Sequence, residues 1–189
     1  MDNKIKIINY LGKHLGKSFT MLELSKATKI PYATFYRTIQ EMTDLILFQT
    51  VGKAKTVALN TKNAEVKSYL TISSAEEKKE FLEKQPIIKK IATELDTKDI
   101  VVLFGSLAKG TEKKASDIDI LIINKKGEKS LSFSKYELLF KKKINPLFVT
   151  KSEFIKMLHE KEENVGKQVL ENHIILNNSE HFWECVLHG

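Results

Sequence analysis

The chain has 189 residues, room for one large domain or two small ones, and a hydrophobic content of 42% that suits a globular protein and excludes a disordered one. No apolar run is long enough to span a bilayer, so no membrane partner is expected. Cys185 is the only cysteine, which excludes an internal disulfide and fits a reducing, cytoplasmic setting.

The formal net charge of +7 is unevenly placed. Residues 1–62 carry ten Lys and Arg against four Asp and Glu, an excess of +6, and residues 63–189 carry twenty-one against twenty, an excess of +1. This asymmetry predicts a basic N-terminal module that faces nucleic acid, attached to a nearly neutral domain. The first residues lead directly into a helical pattern and lack the apolar core of a signal peptide.

Ile5, Ile7, Ile8, Leu11 and Leu15 predict a helix over 5–15, broken by Gly16, Lys17 and Ser18. Thr20 with Glu23 three positions on reads as a capping box opening a second helix, packed through Leu22, Leu24 and Ala27. Pro31 suits the first position of a third helix over 31–42. Phe35, Ile39 and Met42 share its inner face, Ala33, Arg37 and Gln40 oppose them, and Tyr36 and Glu41 lie on the flanks. Residues 45–51 read as a strand, 52–55 as a turn and 56–59 as a returning strand. Three helices followed by a hairpin with lysines at its tip resemble a winged helix-turn-helix over residues 1–60. The resemblance implies that Tyr36, Arg37 and Gln40 reach the major groove of double-stranded DNA and that Lys53 and Lys55 touch phosphates. The same pattern also suits a winged helix used for dimerisation or protein contact.

Residues 61–85 are polar and charged and read as a helical linker of one or two helices, with Ser73 and Ser74 as the break. Pro86 opens a helix over 87–95 with Ile87, Ile88, Ile91 and Leu95 inward. Residues 101–104 form a continuous apolar run, a buried strand ended by Gly105 and Ser106, and 107–110 allow about one helical turn. Residues 116–123 read as a second strand. Asp117 and Asp119 lie two apart on it and therefore point to one face, while Ile118 and Ile120 point to the other. Two adjacent carboxylates need an offsetting charge, and Mg²⁺ accepts a few carboxylates together with waters and substrate phosphates. The Gly105–Ser106 turn offers backbone and hydroxyl groups to a phosphate, and Lys109 adds a positive charge.

A helix over 131–143 is predicted with Phe133, Tyr136, Leu139 and Phe140 inward, then a third strand over 144–149. Thr150 and Glu153 form a second capping box, followed by helices over 162–172 and 179–187 and an extended segment at 174–176. His159, His173, His181 and His188 are too scattered to argue a zinc site, and Cys185 reads as a packing residue.

Gly105, Ser106 and Gly110, a short spacer, then Ser116, Asp117 and Asp119 resemble the nucleotidyltransferase signature of the DNA polymerase beta superfamily in its minimal form. Lys109 stands where many members carry arginine. A surface hairpin with two solvated aspartates is the plainer alternative, but it does not require residues 101–104 to be so apolar. The resemblance implies an α+β chain: a winged helix-turn-helix at 1–60, a linker at 61–85, and a polymerase-beta-like domain at 86–189 with a small mixed sheet flanked by helices. It further implies that Asp117 and Asp119 are catalytic and hold Mg²⁺, as many as two ions, and that Gly105, Ser106, Lys109, Gly110 and Ser116 bind a nucleoside triphosphate. Members that transfer nucleotides usually carry a third carboxylate on the strand after the helix. The matching position here is Asn145, with Glu137, Glu153 or a group from a partner as substitutes. Two functions follow. One is Mg²⁺-dependent transfer of a nucleoside monophosphate to a hydroxyl acceptor, coupled to DNA binding. The other is a DNA-binding regulator or antitoxin whose transferase domain senses nucleotide or is inactive, with a small helical toxin or a second copy of the chain as partner.

Overall fold

Asp2 stands before the first helix, and its side chain accepts the Ile5 N–H at 2.8 Å. That cap starts α1 (Asn3–Lys13) two residues earlier than the apolar spacing suggests. The computed structural model describes residues 1–52, 54–113 and 116–189, so the predicted phosphate contact Lys53 lies outside the described residues. The chain divides into two units, Met1–Glu76 and Glu77–Gly189.

In the first unit, β1 (Phe19–Thr20) runs into α2 (Met21–Thr28), and the predicted capping box is present, with Thr20 and Glu23 each accepting the other's backbone N–H. Pro31 is the residue before α3 (Tyr32–Gln40), not its first helical residue as predicted. The extended backbone it adopts there leaves the helix to begin at Tyr32. Phe35, Ile39 and Met42 are buried as the spacing requires. β2 (Ile46–Val51) and β3 (Ala54–Leu59) pair antiparallel with Val51 opposite Ala54. Ala54 and Lys55, predicted in a turn over 52–55, already belong to the strand. Gly52, at φ 62°, supplies the left-handed conformation that so short a hairpin needs. β1 pairs with β3, giving the order β1-β3-β2; a two-residue strand leaves no periodic signal in sequence.

α4 (Glu65–Lys84) is one helix. The break predicted at Ser73 and Ser74 does not occur, because both hydroxyls donate to the Leu70 carbonyl, at 2.8 and 2.9 Å, and the ladder continues around them. The division between the units falls within α4.

The second unit is a four-stranded mixed sheet flanked by helices. β4 (Ile100–Phe104), β5 (Ile118–Asn124), β6 (Ile144–Thr150) and β7 (Ile174–Asn177) lie in the order β6-β5-β4-β7. β4 is antiparallel to β5 and β7, and β5 is parallel to β6. Val101, Val102 and Leu103 of β4 and Ile120, Leu121 and Ile122 of β5 are all 0% exposed, so the central pair is covered on both faces. One face packs on α5 (Pro86–Thr93) through Ile88 and Ile91 and on α7 (Ser134–Phe140) through Tyr136, with Phe133 beside it. α8 (Lys151–His159), α9 (Val165–Glu171) and α10 (Ser179–His188) also contact β4 and β5, and Phe154, Phe182 and Trp183 are fully buried among them. Cys185 is buried too, and burial pushes its thiol pKa up.

α7 and α9 are among the helices that are shorter than predicted. α7 covers seven residues, and Leu139, predicted inward, is 62% exposed. At about 100° per residue, Phe133, Tyr136 and Phe140 form one stripe and Leu139 falls well to its side. α9 starts at Val165, not at 162, because the Asn164 side chain caps it by accepting the Lys167 N–H. Among the described residues no helix is long and apolar enough to cross a membrane.

Glu94, after α5, joins that helix to α7. Lys90, Lys135 and Tyr136 all donate to its carboxylate and hold its pKa down to about 2. A carboxyl whose folded pKa is depressed stabilises the fold fully above its ordinary value near 4.5, and that contribution is lost as pH falls toward 2. Urea midpoints compared between pH 5 and pH 3 should therefore fall less in Glu94→Gln than in the unsubstituted protein.

Candidate active site

β4 and β5 pair so that Phe104, the last residue of β4, stands opposite Asp119. The next residue, Gly105, has φ +74°, and a Cβ placed on it would lie 2.3 Å from Oδ2 of Asp119. Glycine is thus required twice, by the left-handed backbone and by the carboxylate lying against it. α6 (Gly105–Lys109) is little more than one turn and ends at Gly110, also left-handed at φ 68°. The Thr111 N–H then donates to the Ser106 carbonyl at 3.0 Å.

Asp117 and Asp119 flank the buried Ile118, one just before β5 and one within it. Both are partly exposed. Their carboxylates meet one common donor: Nδ2 of Asn145 lies 3.1 Å from Oδ2 of Asp117 and 3.2 Å from Oδ1 of Asp119. Asn145 reaches them because β6 pairs parallel with β5 and sets Asn145 opposite Asp119. One small volume therefore holds two carboxylates and an amide. The hard oxygen donors suit a divalent cation of the Mg²⁺ type.

Lys143 was not anticipated. Its ammonium lies 3.6 Å from Oδ2 of Asp117, while its carbonyl accepts the Ile118 N–H at 3.0 Å. The signal was available, since Lys143 and Asn145 are two apart and so share a strand face. Ser116 closes a turn, its hydroxyl accepting the Lys113 N–H at 2.8 Å. Lys109 is exposed at the end of α6, and among the described residues no hydrogen bond or ion pair joins it to either aspartate. A cavity of about 110 Å³ beside Asp117 is lined in part by Gln85, Glu112, Ser116 and Lys142, and Gln85 donates to Glu112 at 3.3 Å. Glu112 was also missed, lying in a loop without periodicity.

The two carboxylates offered by sequence as substitutes for a third acid have other partners. Glu137 accepts the Ile144 N–H at 2.9 Å, and Glu153 accepts the Thr150 N–H at 2.7 Å, at the far end of β6 from Asn145. The Thr150 interaction also holds the Glu153 carboxyl below its ordinary range. Among the described residues no group of three His, Cys, Asp or Glu converges as a metal-ligand set.

In the first unit, Tyr36, Arg37 and Gln40 are all exposed on α3. Tyr36 and Gln40 line a common groove with Lys55 of β3; Arg37 does not line it.

Residues 86–181 match the family model described as a nucleotidyltransferase domain. The chain belongs to this family. The match runs from α5 into α10, so the nucleotidyltransferase domain takes in the whole four-stranded sheet with Gly105, Asp117, Asp119 and Asn145. No curated protein and no solved structure matches the chain.

The two glycines that bound α6 in the nucleotidyltransferase domain differ in a measurable way. Gly110→Ala meets nothing within 4 Å and costs only the left-handed backbone, about 1–2 kcal/mol. Gly105→Ala carries that cost and must also displace Asp119. Urea denaturation should show Gly105→Ala to be the more destabilising by at least about 1 kcal/mol.

Proposed function

We propose that this protein binds a nucleoside triphosphate with Mg²⁺ at Asp117 and Asp119, transfers its nucleoside monophosphate to a hydroxyl acceptor, and holds double-stranded DNA through an N-terminal winged helix-turn-helix. The observation that carries the reading is the pair of carboxylates sharing one small volume beside Gly105, inside a nucleotidyltransferase domain. Bound there, Mg²⁺ supplies the charge that stabilises the transferring phosphoryl group. Asp117 and Asp119 hold and orient it. The Gly105–Ser106 turn, with Gly110 and Ser116 shaping the loop, presents backbone and hydroxyl groups to the phosphates. Lys109 and Lys143 are the nearby cations for the departing pyrophosphate. The new bond forms between the acceptor oxygen and the α-phosphorus as the bond to pyrophosphate breaks.

The acceptor's proton is where this site departs from what the signature implies. A neutral amide at position 145 takes no proton, so Asn145 orients the two aspartates but does not act as a base. This favours a second reading, in which the domain binds nucleotide without transfer and the chain is a DNA-binding regulator or antitoxin, paired with a second copy or a small helical toxin. The two readings share the DNA-binding unit. Its support is the order of three helices and a tight hairpin, the exposure of Tyr36, Arg37 and Gln40 on α3, and the +6 excess of residues 1–62.

Incubation with each labelled nucleoside triphosphate, Mg²⁺ and cell extract should give labelled product in the transfer reading and none in the regulator reading. Asp117→Asn with Asp119→Asn should abolish Mg²⁺-dependent nucleotide binding by calorimetry, and unchanged affinity would remove both readings of the site. Asn145→Asp should raise labelling, by as much as the 10²–10⁴-fold typical of general-base assistance. Equal labelling would show that the acceptor's proton leaves by another route. On duplex DNA, Arg37→Ala should weaken binding and relax sequence preference, whereas Lys55→Ala should weaken it on all sequences alike and flatten the salt dependence.

A further inference from the structure

We propose that the groove between α3 and the β2–β3 hairpin binds single-stranded nucleic acid, with unpaired bases stacking on Tyr32, Tyr36 and Phe48. This rests on the reading of the first unit as one that faces nucleic acid, but it gives the groove, with Tyr36, Gln40 and Lys55, to an unpaired strand and leaves the duplex to Arg37, which does not line it.

The groove is a cavity of about 520 Å³ whose lining includes Leu22, Tyr32, Tyr36, Gln40, Phe48 and Lys55. Leu22, Tyr32, Tyr36 and Phe48 are 54%, 49%, 46% and 42% exposed. Large apolar side chains scattered singly over a surface need no explanation, but four around one concavity form a patch with a ligand's shape. α3 seats its core through Phe35 and Ile39, and Tyr32 and Tyr36 lie on the flank of that face, about half exposed. Tyr32 and Tyr36 stand one helical turn apart with ring centroids 6.5 Å apart and planes tilted by 35°. They are not stacked on each other, and each is about half exposed.

Charge selects the class of occupant. The basic excess of this chain lies in residues 1–62, and Lys55 puts a cation in the groove itself. A polyanion is drawn to a unit of this net charge, whereas a second copy would bring two units of like charge together. The rings select the strandedness. In a duplex the faces of the bases are covered by their neighbours and only their edges are open. An unpaired base offers its face, and stacking on an aromatic ring is the main sequence-tolerant contribution in single-strand binding. The Gln40 amide, donor and acceptor at once, is placed to meet the edge of a stacked base.

The test uses the full chain and fluorescence anisotropy with a labelled short oligothymidine, and with a hairpin duplex of equal phosphate number. The single strand should bind more tightly, with affinity falling as salt rises. Tyr36→Ala and Phe48→Ala should each weaken it by about fivefold or more, Tyr36→Phe should retain it, and Lys55→Ala should reduce the salt slope. All these positions are exposed, and thermal melts confirm that the variants fold. Single-strand binding unchanged in Tyr36→Ala and Phe48→Ala overturns the proposal. So does preference for the hairpin with no dependence on the rings, but duplex binding that is lost in Arg37→Ala would then leave the major-groove reading intact. Dissociation of a self-associated protein by Tyr36→Ala, seen in sedimentation without oligonucleotide, assigns the groove to a second copy and overturns it as well. Failure to bind either oligonucleotide overturns both it and the DNA-binding reading.

Discussion

The carboxylate of Asp119 lies against the backbone of Gly105, and the rest of the second unit is arranged so that it can. The contact exists because β4 and β5 pair in one register, with Phe104 opposite Asp119. A slip of one residue would turn Asp119 to the face where Ile118, Ile120 and Ile122 are buried, so burial of that face holds the register. The all-apolar run from Ile100 to Leu103 thus positions the candidate site without touching any ligand. Gly105 is the point where the strand must turn and also make room.

Electrostatics then explains why β6 begins as it does. Asp117 and Asp119 place like charges side by side at the start of a strand. The structure sets two offsetting groups opposite them from one short segment, the Asn145 amide and the Lys143 ammonium. The amide donates to both carboxylates without adding charge, so the site remains net acidic and open to a cation. The Lys143 pair is well exposed and contributes little to stability. A third carboxylate at position 145 would give a basic group for the acceptor's proton, at the cost of a third like charge in the same volume. The amide resolves the repulsion and gives up the base.

The first unit is organised on a different principle. Its first three helices are short and begin at side-chain caps or at Pro31, and α3 carries half-exposed rings on the flank of its buried face. That flank carries tyrosines where solvation alone would favour charged residues. A basic surface with half-exposed rings around a concavity is a different offering from a basic surface of lysines alone. It adds to long-range attraction a short-range contact that depends on the face of a ring.

Much of this was legible in the chain. The inner face of α3, the two capping boxes, the buried strand before Gly105 and the shared face of Asp117 and Asp119 all follow from spacing, because helix and strand periodicity and cap chemistry are local. The signature residues identified the nucleotidyltransferase domain for a related reason: glycine, serine and aspartate at fixed spacing encode a backbone conformation and a charge pair within one short segment. What sequence left open, or placed wrongly, had both local and distant causes. Ser73 and Ser74 read as a break until the Leu70 carbonyl was seen to take both hydroxyls. Leu139 read as core, although it lies well to the side of the stripe that Phe133, Tyr136 and Phe140 form. Lys55 read as turn until pairing showed where the hairpin closes. That Asn145 stands beside both aspartates, with Lys143 next to it, was decided by the parallel register of β5 and β6. Parallel strands meet through a connection whose length does not fix their alignment, so only the packed sheet determines which residues face each other.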